Sequence, residues 1–191
     1  MKTNTKTLSN KQEKQVALDL KGKTTIASGA LDIQKADVRT DDWLIECKTT
    51  AKSYYPLKVS TWLKIQKEAL KDGLRTPLMC IELNNKSTFD KVSIAVLNYF
   101  DFKGYEFDKG HTFVGSITPE FNYNNSYRVT TDILQKSNEM TENLLANSNY
   151  MCIHFVKFLE AKEPVELVFL LYDDFLLLEK ERQALLNGGN E

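Results

Sequence analysis

The sequence predicts an α/β fold with a mixed sheet, and three observations predict it. Apolar residues at helical spacing, as in Val59, Trp62, Leu63, Ile65, Ala69 and Leu70, alternate with short apolar runs such as Leu78–Leu83 and Val165–Tyr172. Helix and strand patterns are interleaved along the whole chain rather than segregated, which places helices on the faces of one sheet. Hydrophobic residues make up 42% of the 191 residues, enough to bury the core of one fair-sized domain or of a compact domain with an added lobe.

Each element has a local reason. Ser9 or Asn10 is a capping residue for a helix through about Leu20, with Val16 and Leu20 on one face, and Gly22 ends it. Thr24–Ala27 is a short strand entering the Ser28-Gly29 turn. Ile33–Arg39 alternates apolar and polar side chains up to the Asp41-Asp42 turn, and Trp43–Lys48 follows as a strand. Pro56 precedes the helix at 59–70, which Gly73 stops. Pro77 introduces the strand Leu78–Leu83, and a polar stretch separates it from the strand Val92–Phe100, so the two form an antiparallel pair. Residues 103–125 read as a loop or a small β excursion. Beyond them come a helix at Asp132–Leu145, strands at Tyr150–Phe158 and Val165–Tyr172, and a terminal helix at Phe175–Leu186.

The chain divides at about residue 102 into a core, 1–102, and an additional α/β lobe, 103–191, that either partly repeats residues 53–102 or completes the core. Residues 53–102 and 126–175 align end to end: both begin Ser-Tyr and end Asp-Phe. Between lie Met79-Cys80-Ile81 against Met151-Cys152-Ile153, Val92 against Val165, Leu97 against Leu170 and Tyr99 against Tyr172.

Composition narrows the partners. The formal charge of −1 averages two unlike parts: residues 1–77 carry 15 Lys+Arg against 9 Asp+Glu, and residues 78–191 carry 10 against 17. Only the first part readily faces phosphates. No apolar run approaches the roughly 20 residues that cross a bilayer, and the polar start has no apolar core of a secretory signal, so a soluble protein of a reducing compartment is expected. Cys47, Cys80 and Cys152 are far apart with apolar neighbours and read as buried thiols; with His111 and His154 as the only histidines, structural zinc lacks ligands.

The chemistry concentrates between Ser28 and Thr50. On a strand Trp43–Lys48, the two-residue period puts Leu44, Glu46 and Lys48 on one face and Ile45 and Cys47 on the other, in the core. The Asp41-Asp42 turn returns the chain so that Asp37 neighbours Glu46. Two carboxylates at one sheet edge repel unless a cation lies between them. Magnesium suits that position, because it takes a few carboxylate oxygens and keeps waters and phosphate oxygens as its other ligands. A lysine beside it stabilises charge on a scissile phosphate, so the set fits phosphodiester hydrolysis. The same Glu-x-Lys pattern also fits a charge pair on a surface strand.

The whole run resembles the PD-(D/E)XK nuclease superfamily, and within it the archaeal-type and phage-type Holliday junction resolvases, over approximately residues 9–83. The matching parts are Glu13 on the first helix, Ser28-Gly29, Asp37, Glu46 with Lys48, the helix after Pro56, and Leu78–Leu83. The proline of the motif's name is Ala36. The resemblance implies a restriction-endonuclease-like core in the order α-β-β-β-α-β. It implies catalytic roles for Glu13, Ser28, Asp37, Glu46 and Lys48, and Mg2+, with Mn2+ as substitute, held by Asp37, Glu46, the Cys47 carbonyl and, through water, Glu13. Lys11, Lys14, Lys35, Arg39, Lys52 and Lys58 bracket the site as DNA contacts. The implied activity is cleavage of branched DNA by a homodimer, in recombination or repair, in a cytoplasm, the host's if the source is a phage. Other possibilities are a nuclease of the same fold acting on flaps or duplex, a DNA-binding module that does not cut, and an interaction protein using the acidic half.

Overall fold

The computed structural model describes residues 5–25, 36–84, 91–103, 112–115, 119–130, 132–134, 150–159 and 164–188. Ser28, Lys35, residues 26–27 and 33–35 of the two predicted strands, and the predicted helix beyond 134 lie outside the described residues; of the rest of those strands, Thr25, Ala36 and Asp37 are not strand. The architecture is mixed α/β. Helix α1 spans Thr5–Asp19 and strands β1 and β2 are Lys23–Thr24 and Val38–Arg39; β3 is Trp43–Thr50, β4 Tyr54–Lys58, and α2 Val59–Lys71. Strands β5, Thr76–Asn84, and β6, Lys91–Asn98, lead into the short helix α3, Tyr99–Phe102. Strands β7, Thr112–Gly115, β8, Glu120–Asn122, and β9, Ser126–Thr130, follow, then β10, Tyr150–Phe158, β11, Val165–Leu171, and α4, Tyr172–Gly188.

Among the described residues, nine strands form one sheet in the order β1-β2-β3-β5-β6-β11-β10-β7, with β8 also on β10, while β4 and β9 form a separate antiparallel pair. The sheet is mixed: β3 runs parallel to β5, and β7 and β8 run parallel to β10, whereas β5-β6, β6-β11 and β10-β11 are antiparallel. It runs without interruption from the first part of the chain into the second, because β11 lies along β6.

Each face of the sheet carries a core. One joins Val16 and Ala17 of α1 and Phe175 and Leu178 of α4 to Val38, Ile45, Cys47 and Cys80. The other joins Val59, Trp62 and Ile65 of α2, with Leu57, Tyr127 and Val129 from the β4-β9 pair, to Met79, Ile81, Val96 and Phe169. Trp62 has no solvent exposure, so the helical spacing of α2 is set by this burial.

Several boundaries differ from the sequence reading. Ser9 lies inside α1 rather than at its cap, and its hydroxyl donates to Glu13 Oε1 at 2.8 Å, one turn on. The residues before the helix at 59, Pro56 among them, form the strand β4, which the sequence reading did not include; Pro56 is exposed, and among the described residues β4 pairs with β9 alone, so the missing N–H costs no central ladder bond. The strand from 92 ends at Asn98, whose side chain accepts from Phe100 N at 2.9 Å and starts α3. The stretch 103–125 holds β7 and β8. Gly22 permits the end of α1 to meet β2, since a Cβ there would lie 2.7 Å from the Arg39 carbonyl oxygen. Among the described residues no helix is long and apolar enough to cross a membrane.

Candidate active site

Strand β3 is the scaffold of the site. Ile45 and Cys47 are buried against α1, while Glu46 and Lys48 project from the opposite face, as strand alternation requires. Asp37 sits just before β2. Its backbone N–H donates to the Ile45 carbonyl at 3.0 Å, and its Oδ2 accepts from Cys47 N at 2.8 Å, so the end of the β2-β3 ladder clamps the carboxylate to the strand that bears Glu46. Lys48 Nζ donates to Glu46 Oε1.

The electrostatics show what shares this space. Burial first, then the charge of Glu46 and least that of Glu13, push the Asp37 carboxyl up, and the net position is about 6. The Cys47 N–H and Lys48 oppose the rise without cancelling it. Burial works to lower the Lys48 ammonium, but the hydrogen bond and charge of Glu46, then Asp37, raise it, which holds Lys48 cationic. The structure thus brings Glu13, Asp37, Glu46 and Lys48 into one electrostatic neighbourhood from α1, the approach to β2, and β3.

Tyr55 is a member that the sequence reading did not single out. It faces inward from β4, and both Lys48 and Glu46 act on its hydroxyl, which burial raises above the ordinary phenol range. The signal was present: in Tyr54–Lys58 the two-residue period puts Tyr55 and Leu57 on the inner side.

A metal ion would have to be held by few protein groups. Among the described residues no group of three or more His, Cys, Asp and Glu side chains is placed to ligate one. What is present is two carboxylates, Asp37 and Glu46, next to the Cys47 backbone, with burial and then the charge of Glu46 raising the Asp37 carboxyl to about 6. An oxygen-only set of low number with uncompensated charge fits a hard divalent cation that keeps several waters. The thiols do not contribute: burial raises Cys47 and Cys80 far above the range where thiolate ligands form.

The basic residues are less concentrated. Lys11 and Lys14 are exposed on α1, flanking Gln12 and Glu13, and Lys52 and Lys58 are exposed at the two ends of β4. Arg39 is turned to the other end of β2, where it pairs with Asp72 at 2.7 Å. The outer side of the β4-β9 pair adds Arg128, whose guanidinium lies 4.2 Å from the centre of the Tyr54 ring, with Lys52 5.4 Å from the same ring. Arg128 lies opposite Pro56 across the pair, a juxtaposition that depends on residues distant in sequence.

No family model matches the chain, and no curated protein matches its sequence. Among solved structures, the chain is similar to a Holliday junction resolvase, Hjc, from the archaeal hyperthermophile Archaeoglobus fulgidus, with a TM-score of 0.37 and 10% sequence identity; the match covers 63% of this chain and 85% of that one.

Proposed function

We propose that the protein is a metal-dependent endodeoxyribonuclease that hydrolyses phosphodiester bonds in branched DNA. The observation that carries this is the clamp on β3: Asp37 held by the Cys47 N–H beside Glu46, with Lys48 on Glu46 and Glu13 near enough to act on Asp37. Mg2+, with Mn2+ as substitute, would be held by Asp37, Glu46 and the Cys47 carbonyl, with Glu13 reached through water. Such an ion lowers the pKa of a bound water and draws a phosphate oxygen to the site.

The chain's own residues then have separate tasks. Asp37 and Glu46 provide the negative oxygens that would attract the cation, whose charge would offset the burial and the Glu46 repulsion that together raise the Asp37 carboxyl. Lys48, transferred from Glu46 to the substrate, stabilises the charge that gathers on the scissile phosphate. Tyr55, bordering Lys48 and Glu46, limits the water around them. Ser28, by the sequence resemblance, supports the phosphate. Lys11, Lys14, Lys35, Lys52 and Lys58, with Arg128 and Tyr54, supply phosphate contacts along the arms, and Arg39 joins them only if Asp72 releases it.

The preference for branched DNA comes from the sequence resemblance. Paired cuts in a four-way junction need this centre to act on both of two twofold-related strands. The test is cleavage of equal amounts of labelled four-way junction, flap and linear duplex, with and without Mg2+ at one salt concentration. Paired nicks in the junction alone, lost in Glu46→Gln and Lys48→Ala, support the full proposal. Equal cutting of all three, lost in both variants, retains the nuclease and removes the junction preference. Cutting that neither substitution affects removes the site.

A further inference from the structure

The pairings of the two sheets relate the halves of the chain by a half-turn. β6 and β11 are antiparallel with Val96 opposite Phe169, and β4 and β9 are antiparallel with Pro56 opposite Arg128. These two pairs share one core, which packs β4-β9 over β6-β11. A half-turn through both centres exchanges Leu57 with Val129, Tyr55 with Tyr127, Leu97 with Leu170 and Tyr99 with Tyr172, the residues that open α3 and α4.

The exchange continues outward. Met79 faces Val96 and His154 faces Phe169 across their ladders, so β5 exchanges with β10. Lys48 lies beside Ile81 and Glu120 beside Val156, so β3 exchanges with β7 and β8, both halves keeping this strand parallel to the next. Burial agrees at many of the apolar positions, although Met79 is buried and its counterpart His154 is partly exposed. Leu78 and Ile153, Cys80 and Phe155, and Leu97 and Leu170 are buried in the core on one face; Ile81 and Val156, Leu83 and Phe158, and Trp62 and Leu134 are buried in the other. Alignment of Met79-Cys80-Ile81 with Met151-Cys152-Ile153 is out of register with this symmetry. Met79 faces the core of α2 whereas Met151 faces that of α1 and α4, and like apolar residues in two strands conceal such a slip.

The two halves differ at the site. Residues 112–122 contain no lysine or arginine and a single acid, Glu120. Glu120 stands at the counterpart of Lys48. It accepts from the Tyr127 hydroxyl at 3.2 Å and lies 3.1 Å from His154 Nε2, and Tyr127 and His154 are 2.8 Å apart. Tyr127 is the counterpart of Tyr55, so the same place holds a hydrogen-bonded acidic cluster in one half and the Glu46-Lys48 pair in the other. A carboxylate where a scissile phosphate needs a cation opposes phosphodiester cleavage. The sheet itself is completed internally, since β11 covers the edge that β6 would otherwise present to a second copy.

We propose that the chain is an internal pseudodimer with one armed half, so that each chain cuts a single DNA strand and does so without a second armed chain. This rests on the nuclease function proposed above. Paired cuts in a branched substrate then arise as two separate nicks. The experiment uses the full chain with Mg2+ on supercoiled plasmid and on a junction whose two scissile strands carry different labels, DNA in excess. A fixed amount of wild type is assayed alone and with an about tenfold excess of Glu46→Gln chain, whose folding is checked by circular dichroism. The expected result is nicked circle before linear, a rate proportional to wild-type concentration, and a rate per wild-type chain unchanged within about twofold by the inactive chain. Glu120→Gln is expected to cut at the wild-type rate within about twofold. Linear product without a nicked precursor, a rate that falls about tenfold in the mixture, or loss of cutting in Glu120→Gln overturns the pseudodimer while leaving the nuclease standing. No metal-dependent cutting of any DNA by wild type overturns both.

Discussion

Strand β3 and strands β7 and β8 occupy matching places, β3 parallel to β5 and β7 and β8 parallel to β10, yet they carry opposite chemistry. On β3 an unbroken ladder holds Glu46 and Lys48 side by side, with Asp37 fastened to the Cys47 N–H. In the second half Glu120 is absorbed by Tyr127 and His154. The surrounding apolar positions match far better than these polar ones. Burial in a shared core constrains size and hydrophobicity at each position, whereas a half-exposed polar site is constrained only by what it must do.

The largest expected effect tests whether the cores are equivalent. Trp62→Ala empties a site with no solvent exposure and is expected to cost about 3–5 kcal/mol by chemical denaturation. Leu134→Ala, at the corresponding place in the other half, removes a smaller side chain and is expected to cost about 2–3 kcal/mol, at the low end for such truncations. A loss under about 1 kcal/mol at Leu134 would separate the two halves energetically.

The next effect sharpens the chemical difference. Lys48→Ala removes the cation that pairs with Glu46 and is expected to slow metal-dependent cleavage by about two to three orders of magnitude, as does loss of a donor to transition-state charge elsewhere. The melting temperature should change little, because the Glu46-Lys48 pair is partly exposed. An equal loss of stability and activity would make Lys48 a structural residue.

A smaller effect concerns charge. The folded protein holds a proton on Asp37 more tightly than the unfolded chain does, since its carboxyl lies at about 6 against an ordinary 3.8. The associated stability is therefore complete below about pH 4 and lost as pH rises through 6. Asp37→Asn, which retains an acceptor for the Cys47 N–H, should match wild type in thermal melts below that range and exceed it at pH 7. Added Mg2+ should raise the wild-type melting temperature at pH 7 and leave the variant's unchanged. A variant no more stable than wild type at pH 7 would mean that burying an ionised Asp37 beside Glu46 carries no cost.

The smallest effect is Arg128→Ala, on the strand pair that joins the halves. Binding of DNA by the Arg128→Ala, Glu46→Gln double variant, compared with Glu46→Gln alone, should weaken a few-fold, with the slope of log affinity against log salt reduced by about 1. An unchanged slope would place the outer side of β4-β9 away from the phosphate backbone.

Much of the site's local geometry was legible before any coordinates. The two-residue period of Trp43–Lys48 already put Glu46 and Lys48 together and Cys47 inside, and the spacing of α2 already named Trp62 and Ile65 as core. Asp37 was found from the turn at Asp41-Asp42. Tyr55 was missed because Pro56 reads as a break, although an exposed edge position tolerates it. Arg128 and Glu120 had no local signal at all. The roles of Glu13, Asp37, Glu46 and Lys48 as catalytic groups, and Mg2+ as their ion, are proposals that the experiments above decide.

By itself the sequence determined the period of each long element, the alternation of α and β, and the order of charged residues along β3. These depend on neighbours a few positions apart, where backbone geometry acts directly. The tertiary structure alone decided that β11 lies on β6, that β9 lies on β4, and that Val96 meets Phe169 rather than a residue to either side. A strand's own residues state which face is apolar, but its partner and register are selected by the burial of both faces at once, across chain separations that no local pattern spans.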